Sequence, residues 1–236
     1  MLGVLQGLLG LTFPTDCLAC GEFTNGEPYC EACVRLVVPR AGTRCGCCDT
    51  RTSGLHRLCG RCLTEPPSFQ RVFGLFDYIG PVGDAIRAGK YEARPEALPT
   101  VADLVRKYMP RELRASPPEA VVPVPLHPKR LARRGVDVPA VLGRTVARAL
   151  QVSCASRAVQ RTRDTRPQAG LSERARRDNL AGAFAPGRTA MPRDVLIVDD
   201  VMTTGATARA VASVARLAGA VRIRVLVAAV ADRTLP

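Results

Sequence analysis

The chain has 236 residues, room for one ordinary domain and a small module, and its 47% apolar content is enough to build a core. Its net charge of +13, from 31 Arg and 3 Lys against 21 acids, points toward a polyanionic ligand. No apolar stretch is long enough to span a bilayer, which excludes an integral membrane protein and leads us to expect a cytoplasmic one.

The first 14 residues are apolar but lack the basic start and small-residue cleavage site of a secretory signal. Leu2, Leu5, Leu8, Leu9 and Phe13 have helical spacing, which predicts a short amphipathic helix packed on the rest of the protein. Contact with a membrane surface or a partner is the alternative use of such a face.

Nine of the ten cysteines lie between Cys17 and Cys62. Eight form C-x-x-C pairs: Cys17/Cys20, Cys30/Cys33, Cys45/Cys48 and Cys59/Cys62, with Cys47 left over. Each pair puts two thiolates on one tight knuckle, and two knuckles make a tetrahedral four-cysteine site for Zn²⁺. The spacing predicts one or two structural zincs. Sequential sites and a cross-braced pairing use the same residues, and a disulfide-stapled module or an iron–sulfur cluster are the competing chemistries. His56 lies in the second loop, where it is either solvated or a substitute ligand. Such a module has too little aliphatic content to fold without a staple, and its neutral charge suits docking or contact with a protein partner better than phosphate binding. Pro66-Pro67 closes it, which predicts domains at 1–66 and 67–236.

Val72 to Tyr78 alternates as an edge strand, followed by a helix from Gly83 to Lys90 and an amphipathic helix from Leu98 to Met109. Val121 to Pro125 reads as a short strand stopped by proline. Residues 129–177 then carry 13 basic and 3 acidic side chains, a net of +10 that accounts for most of the chain's excess. Within them, Val141 to Leu150 is helical, while the polar run from Arg161 to Gln168 predicts a mobile loop that continues through Arg174, Arg177 and Asn179 to Phe184. No aromatic residue occurs between Tyr108 and Phe184, so single-stranded DNA bound here would be held by its backbone without base stacking.

Val195-Leu196-Ile197-Val198 suits a parallel strand covered on both faces, and Ala206 to Ala218 a helix stopped by Gly219. A second strand over about Val221 to Val230 completes a βαβ unit. Between the first strand and the helix lie Asp199, Asp200, Val201, Met202, Thr203, Thr204, Gly205, Ala206 and Thr207. The backbone N–H groups and hydroxyls of such a turn cradle a phosphate at a helix N-terminus, and the two acids suit sugar hydroxyls or Mg²⁺-bound water.

This segment resembles the phosphoribosyl pyrophosphate (PRPP) loop of type I phosphoribosyltransferases. The resemblance implies that Asp199 and Asp200 hold the ribose hydroxyls while Thr203 to Thr207 wrap the 5′-phosphate. The order of knuckled module, Val-Pro-Val-Pro-Leu at 122–126, Arg133-Arg134-Gly135, the Arg161 to Gln168 run and the PRPP loop resembles the ComF family over essentially the whole chain. It implies an α/β domain of type I phosphoribosyltransferase-like fold, a parallel sheet flanked by helices, with an appended zinc module and, for some members, an association with DNA uptake. Two departures stand out: Val136-Asp137-Val138-Pro139 replaces the usual aromatic and Asn-Gln, and Gly89-Lys90-Tyr91 replaces Leu-Lys-Tyr.

Transfer from PRPP builds negative charge on the leaving diphosphate, so the expected cofactor is Mg²⁺ and the expected cations are Arg161, Arg163 and Arg166 from the loop with Lys129, Arg130, Arg133 and Arg134 after the proline-stopped strand. Asp199, Asp200, Arg161 and Arg163 are the catalytic candidates. No acceptor-recognition signature is visible. The expected function is therefore binding of PRPP or a related ribose-phosphate, with an accessory factor binding single-stranded DNA through residues 129–177 as the alternative.

Overall fold

In a computed structural model, the described residues are 16–54, 57–91, 94, 97–165 and 179–231. The amphipathic segment at 1–14, His56, Arg166, Arg174 and Arg177 lie outside them. The described elements start with two one-turn helices, α1 (Glu31–Arg35) and α2 (Gly60–Thr64). They continue through β1 (Arg71–Asp77), α3 (Gly80–Tyr91), α4 (Ala97–Lys107), α5 (Arg111–Ala115), β2 (Ala120–Pro123), α6 (Pro128–Arg134) and α7 (Val138–Leu150). Then come β3 (Ser153–Cys154), β4 (Val159–Arg161), β5 (Phe184–Pro186), β6 (Asp194–Met202), α8 (Ala206–Leu217) and β7 (Arg222–Val230).

Five strands form a parallel sheet in the order β1-β7-β6-β2-β3, while β4 and β5 pair antiparallel beside it. The central strand β6 is buried on both faces, as its unbroken aliphatic run requires. Leu196 and Val198 join one apolar cluster with α3, α4 and α7; Val195 and Ile197 join the other with α8. The expected α/β class and parallel sheet flanked by helices are what the chain forms. From β2 the chain crosses to β3 on one side, and from β6 to β7 on the other. The C-terminal ends of β2 and β6 therefore flank a topological switch point, where open α/β sheets bind ligands.

Two helices start earlier than periodicity indicates. In α7 the Asp137 carboxylate accepts from the Ala140 amide and Pro139 fits the first turn, so the helix begins at Val138 rather than Val141. In α3 Pro81 occupies the first turn, so Gly80 opens it rather than Gly83. The basic run after β2, read from sequence without an element of its own, is the helix α6, capped by His127 and stopped by Gly135. The expected loop also starts later: Arg161 belongs to β4, and Thr165 is buried.

The cysteine module covers the exposed edge of β1. The Val72 amide donates to the Cys47 carbonyl, the Arg40 amide to the Leu75 carbonyl, and Pro39 bridges Phe76 in antiparallel fashion. Buried Arg40 pairs with Asp49 and Asp77, and Arg51 reaches Asp77 at 2.7 Å. The module straddles the sheet. Cys17, Tyr29 and Cys33 extend one apolar cluster; Cys45, Cys47 and Cys62 extend the other. An edge strand that would otherwise template aggregation is thereby paired. Among the described residues no helix is long and apolar enough to cross a membrane.

Candidate functional site

At the end of β6 the backbone carries Asp199 and Asp200 to the sheet's C-terminal edge, where Asp199 accepts from the Asp200 amide and Asp200 from the Val201 amide. The chain then turns through Thr203 and Thr204 to Gly205, whose φ of +72° disfavours any residue with a Cβ, and enters α8. No side chain caps α8.

These residues line an open cavity of about 430 Å³. Asp199, Asp200, Val201, Thr203 and Thr207 form one wall; Val124, Pro125 and Leu126 from the end of β2 form the floor. Arg130 and Arg134 of α6 and Arg161 of β4 contribute guanidinium groups, and Lys90, Tyr78, Tyr91, Val138 and Pro139 close the rest. Of the remaining residues in the sequence segment, Met202 and Ala206 turn into the core beneath the loop. The Thr204 carbonyl accepts from Arg61 of the cysteine module at 2.9 Å, and the Thr204 hydroxyl is buried without a hydrogen-bond partner.

The expected cations separate into two groups. Arg161 stacks 5.2 Å over the Phe184 ring and donates to the Thr165 hydroxyl. Burial, followed by the charge of Arg130, lowers its pKa to about 10. Arg130 binds Asp164 and the Thr165 carbonyl, and Arg134 lies 5.1 Å over the Tyr91 ring. By contrast, Lys129 and Arg133 are exposed on the outer side of α6, where Arg133 pairs with Asp164. Arg163 donates to the Ala181 carbonyl and does not line the cavity.

Lys90 is the residue whose role sequence reasoning missed. Its Nζ lies 2.7 Å from Asp200 with both side chains only 9% exposed. Burial opposes its charge, but the Asp200 carboxylate outweighs that and holds the ammonium above its usual pKa. Burial first, and then the charge of Asp200, push the Asp199 carboxyl well above the usual carboxylate range. Asp137, the α7 cap, is also raised by burial, against the hydrogen bond from Ala140 and with the added charge of Asp200. The available signal was a lysine three residues beyond the paired Asp84 and Arg87, in a helix with no further acid to answer it.

For Mg²⁺ the donor set fits poorly. A divalent ion needs ionised oxygens facing open space, whereas Asp200 is already paired with an ammonium, and burial with the charge of Asp200 works against ionisation of Asp199.

The eight paired cysteines fall into two sets, Cys17/Cys20/Cys30/Cys33 and Cys45/Cys48/Cys59/Cys62, with the sulfurs of each within 4.8 Å of one another. This is the sequential pairing. Sulfur separations of 3.7 Å (Cys20–Cys30) and 3.6 Å (Cys48–Cys59) match the edge of a tetrahedron with Zn–S bonds of ~2.3 Å. Burial raises Cys17, but the Cys30, Cys20 and Ala19 amides outweigh it and bring the thiol down to about 6. Cys45 reaches about 7 by the same balance, against the Cys48, Cys59 and Cys47 amides. Each set can hold one metal ion, and Cys47 is buried in the core beside them.

No protein-family model matches the chain. The DNA utilization protein YhgH of Escherichia coli strain K12 is 34% identical over 199 residues, covering 83% of this chain and 87% of that protein. Competence protein F of Haemophilus influenzae is 31% identical over 202 residues, with the same two shares. The chain belongs to the ComF family. This ComF-family chain thus combines two four-cysteine sets with a cavity at the switch point of its sheet. Its fourth knuckle, Cys59/Cys62, touches the loop of that cavity through Arg61 and also receives Arg209 of α8, which donates to the Glu65 carbonyl and the Cys62 sulfur.

Proposed function

We propose that the cavity binds PRPP or a related ribose-phosphate. The Thr203–Thr207 turn would hold the 5-phosphate, Asp199 and Asp200 the ribose hydroxyls, and Arg130, Arg134 and Arg161 any further phosphate. The observation that supports this best is the convergence of the paired acids, the uncapped start of α8 and three arginines on one cavity. Zn²⁺ in each four-cysteine set is proposed as a structural ion: four thiolates fill a tetrahedron and leave no position for substrate. The chain is proposed to divide near residue 66 into these two functions and to work in the cytoplasm.

Calorimetric titration of the zinc-loaded protein with ribose 5-phosphate and with PRPP tests the reading. Wild type is expected to bind, Gly205→Val to lose binding, and Arg161→Ala to bind more weakly than Arg163→Ala. Absence of binding by wild type, or equal loss in the two arginine variants, would sink it. Whether turnover follows is decided by diphosphate release from PRPP in a screen of acceptor bases.

The names of the relatives, DNA utilization protein and competence protein, support a second role in DNA uptake. The cations outside the cavity, exposed Lys129 and Arg133 among them, would give backbone contact with single-stranded DNA. Such binding should weaken steeply with salt and ignore base identity.

A further inference from the structure

The cavity holds an internal cation. Lys90 comes from the last turn of α3 and directs its ammonium to Asp200. Its side chain is as buried as the carboxylate it meets, so the pair is a fixed part of the wall and not a surface contact. Two buried acids side by side require a neutralising charge, and in sites that handle polyphosphates that charge is ordinarily a divalent ion. Here it is covalently attached. Among the other lining cations Arg130 is paired with Asp164, so Arg134 and Arg161 remain to meet a phosphate.

We propose that Lys90 takes the place of a divalent metal in this cavity, so that a ribose-phosphate is bound here without Mg²⁺. This rests on the reading of the cavity as a ribose-phosphate site. In the bound state Asp200 keeps its partner and accepts from a ribose hydroxyl through its remaining lone pairs. Arg161 and the turn take the phosphate.

Ribose 5-phosphate titrations of the zinc-loaded protein, in buffer with and without Mg²⁺ after removal of trace divalent ions by a resin, give the test. Wild type is expected to show the same affinity in both, and Lys90→Met about tenfold or more weaker affinity without Mg²⁺, partly restored by adding it. Wild-type affinity that falls tenfold without Mg²⁺, or Lys90→Met binding like wild type, overturns the proposal. A ligand-free arm uses Mn²⁺ as a paramagnetic stand-in. Wild type should leave Mn²⁺ free in solution, and its uptake, lost on Asp200→Asn, would overturn the role of Lys90. That arm needs neither a folded Lys90 variant nor a sugar ligand. Failure of ribose 5-phosphate to bind wild type under both conditions would instead remove the ribose-phosphate reading itself and the ligand named here with it.

Discussion

Gly74 in β1 is where the cysteine module and the sheet come closest. A Cβ there would lie 2.4 Å from Asp49 Oδ2 and 2.6 Å from Val230 Cγ2, well inside contact distance on both sides. Val230 belongs to the paired strand β7 and cannot move without disturbing the ladder, so Asp49 must give way. Asp49 is held by Arg40 and Arg44, and Arg40 is itself buried. Overpacking of this kind costs about 1–3 kcal/mol, and stripping a buried charge of its partner costs about 3–5 kcal/mol when complete. Because Arg40 retains Asp77, the second penalty is partial, and we expect Gly74→Ala to cost about 3 kcal/mol in total. For a chain of this size that lowers the melting temperature by about 6–12 °C, measurable by scanning calorimetry of the zinc-loaded protein. Asp49→Ala removes the obstacle as well as the ion pairs, so the double variant should lose less than the two singles together. A Gly74→Ala melt within a degree or two of wild type, or strictly additive losses, would refute the close-approach argument.

Arg61→Ala removes the bond from the cysteine module to the Thr204 carbonyl. It should weaken ribose 5-phosphate binding by about three- to tenfold while moving the melt little, as titration and calorimetry on the same sample would show. Metal analysis of protein purified under reducing conditions should find two zincs per chain. Removing them with a strong chelator should expose the β1 edge to proteolysis between residues 40 and 70, whereas unchanged protection would mean the module folds without metal. Asp137→Ala should cost about 1 kcal/mol by uncapping α7, and Asp137→Asn a few tenths at most, because the amide oxygen still accepts from Ala140. Equal losses in these two variants would show that Asp137 acts by charge and not by capping.

The parts of this molecule that could be read from the chain are those whose causes are local. The aliphatic run of β6, the Ala-rich α8 and the paired knuckles are set by periodicity, helix propensity and ligand spacing within a few residues. The pairing of the knuckles was open because both pairings use the same thiols, and only the folded path brings Cys17/Cys20 to Cys30/Cys33. The arginines of residues 129–177 share one composition, yet the fold assigns them different work. Residues on the inner side of α6 and on β4 reach the cavity, whereas Lys129 and Arg133 on its outer side, and Arg163 just beyond β4, do not. Net charge locates a polyanion site to a quarter of the chain and cannot say which guanidinium groups face it. Lys90 was hidden for the opposite reason, since it lies 110 residues from Asp200 in a segment of near-neutral charge. Its meaning exists only as a pair, because a buried lysine requires a buried acid and the acid here belongs to the motif that sequence makes most visible. The departure at Val136-Asp137-Val138-Pro139 is likewise intelligible only in place. Asp137 accepts from the Ala140 amide to cap α7, and Val138 and Pro139 of the same stretch line the cavity, so the departure sets the start of a helix beside the site.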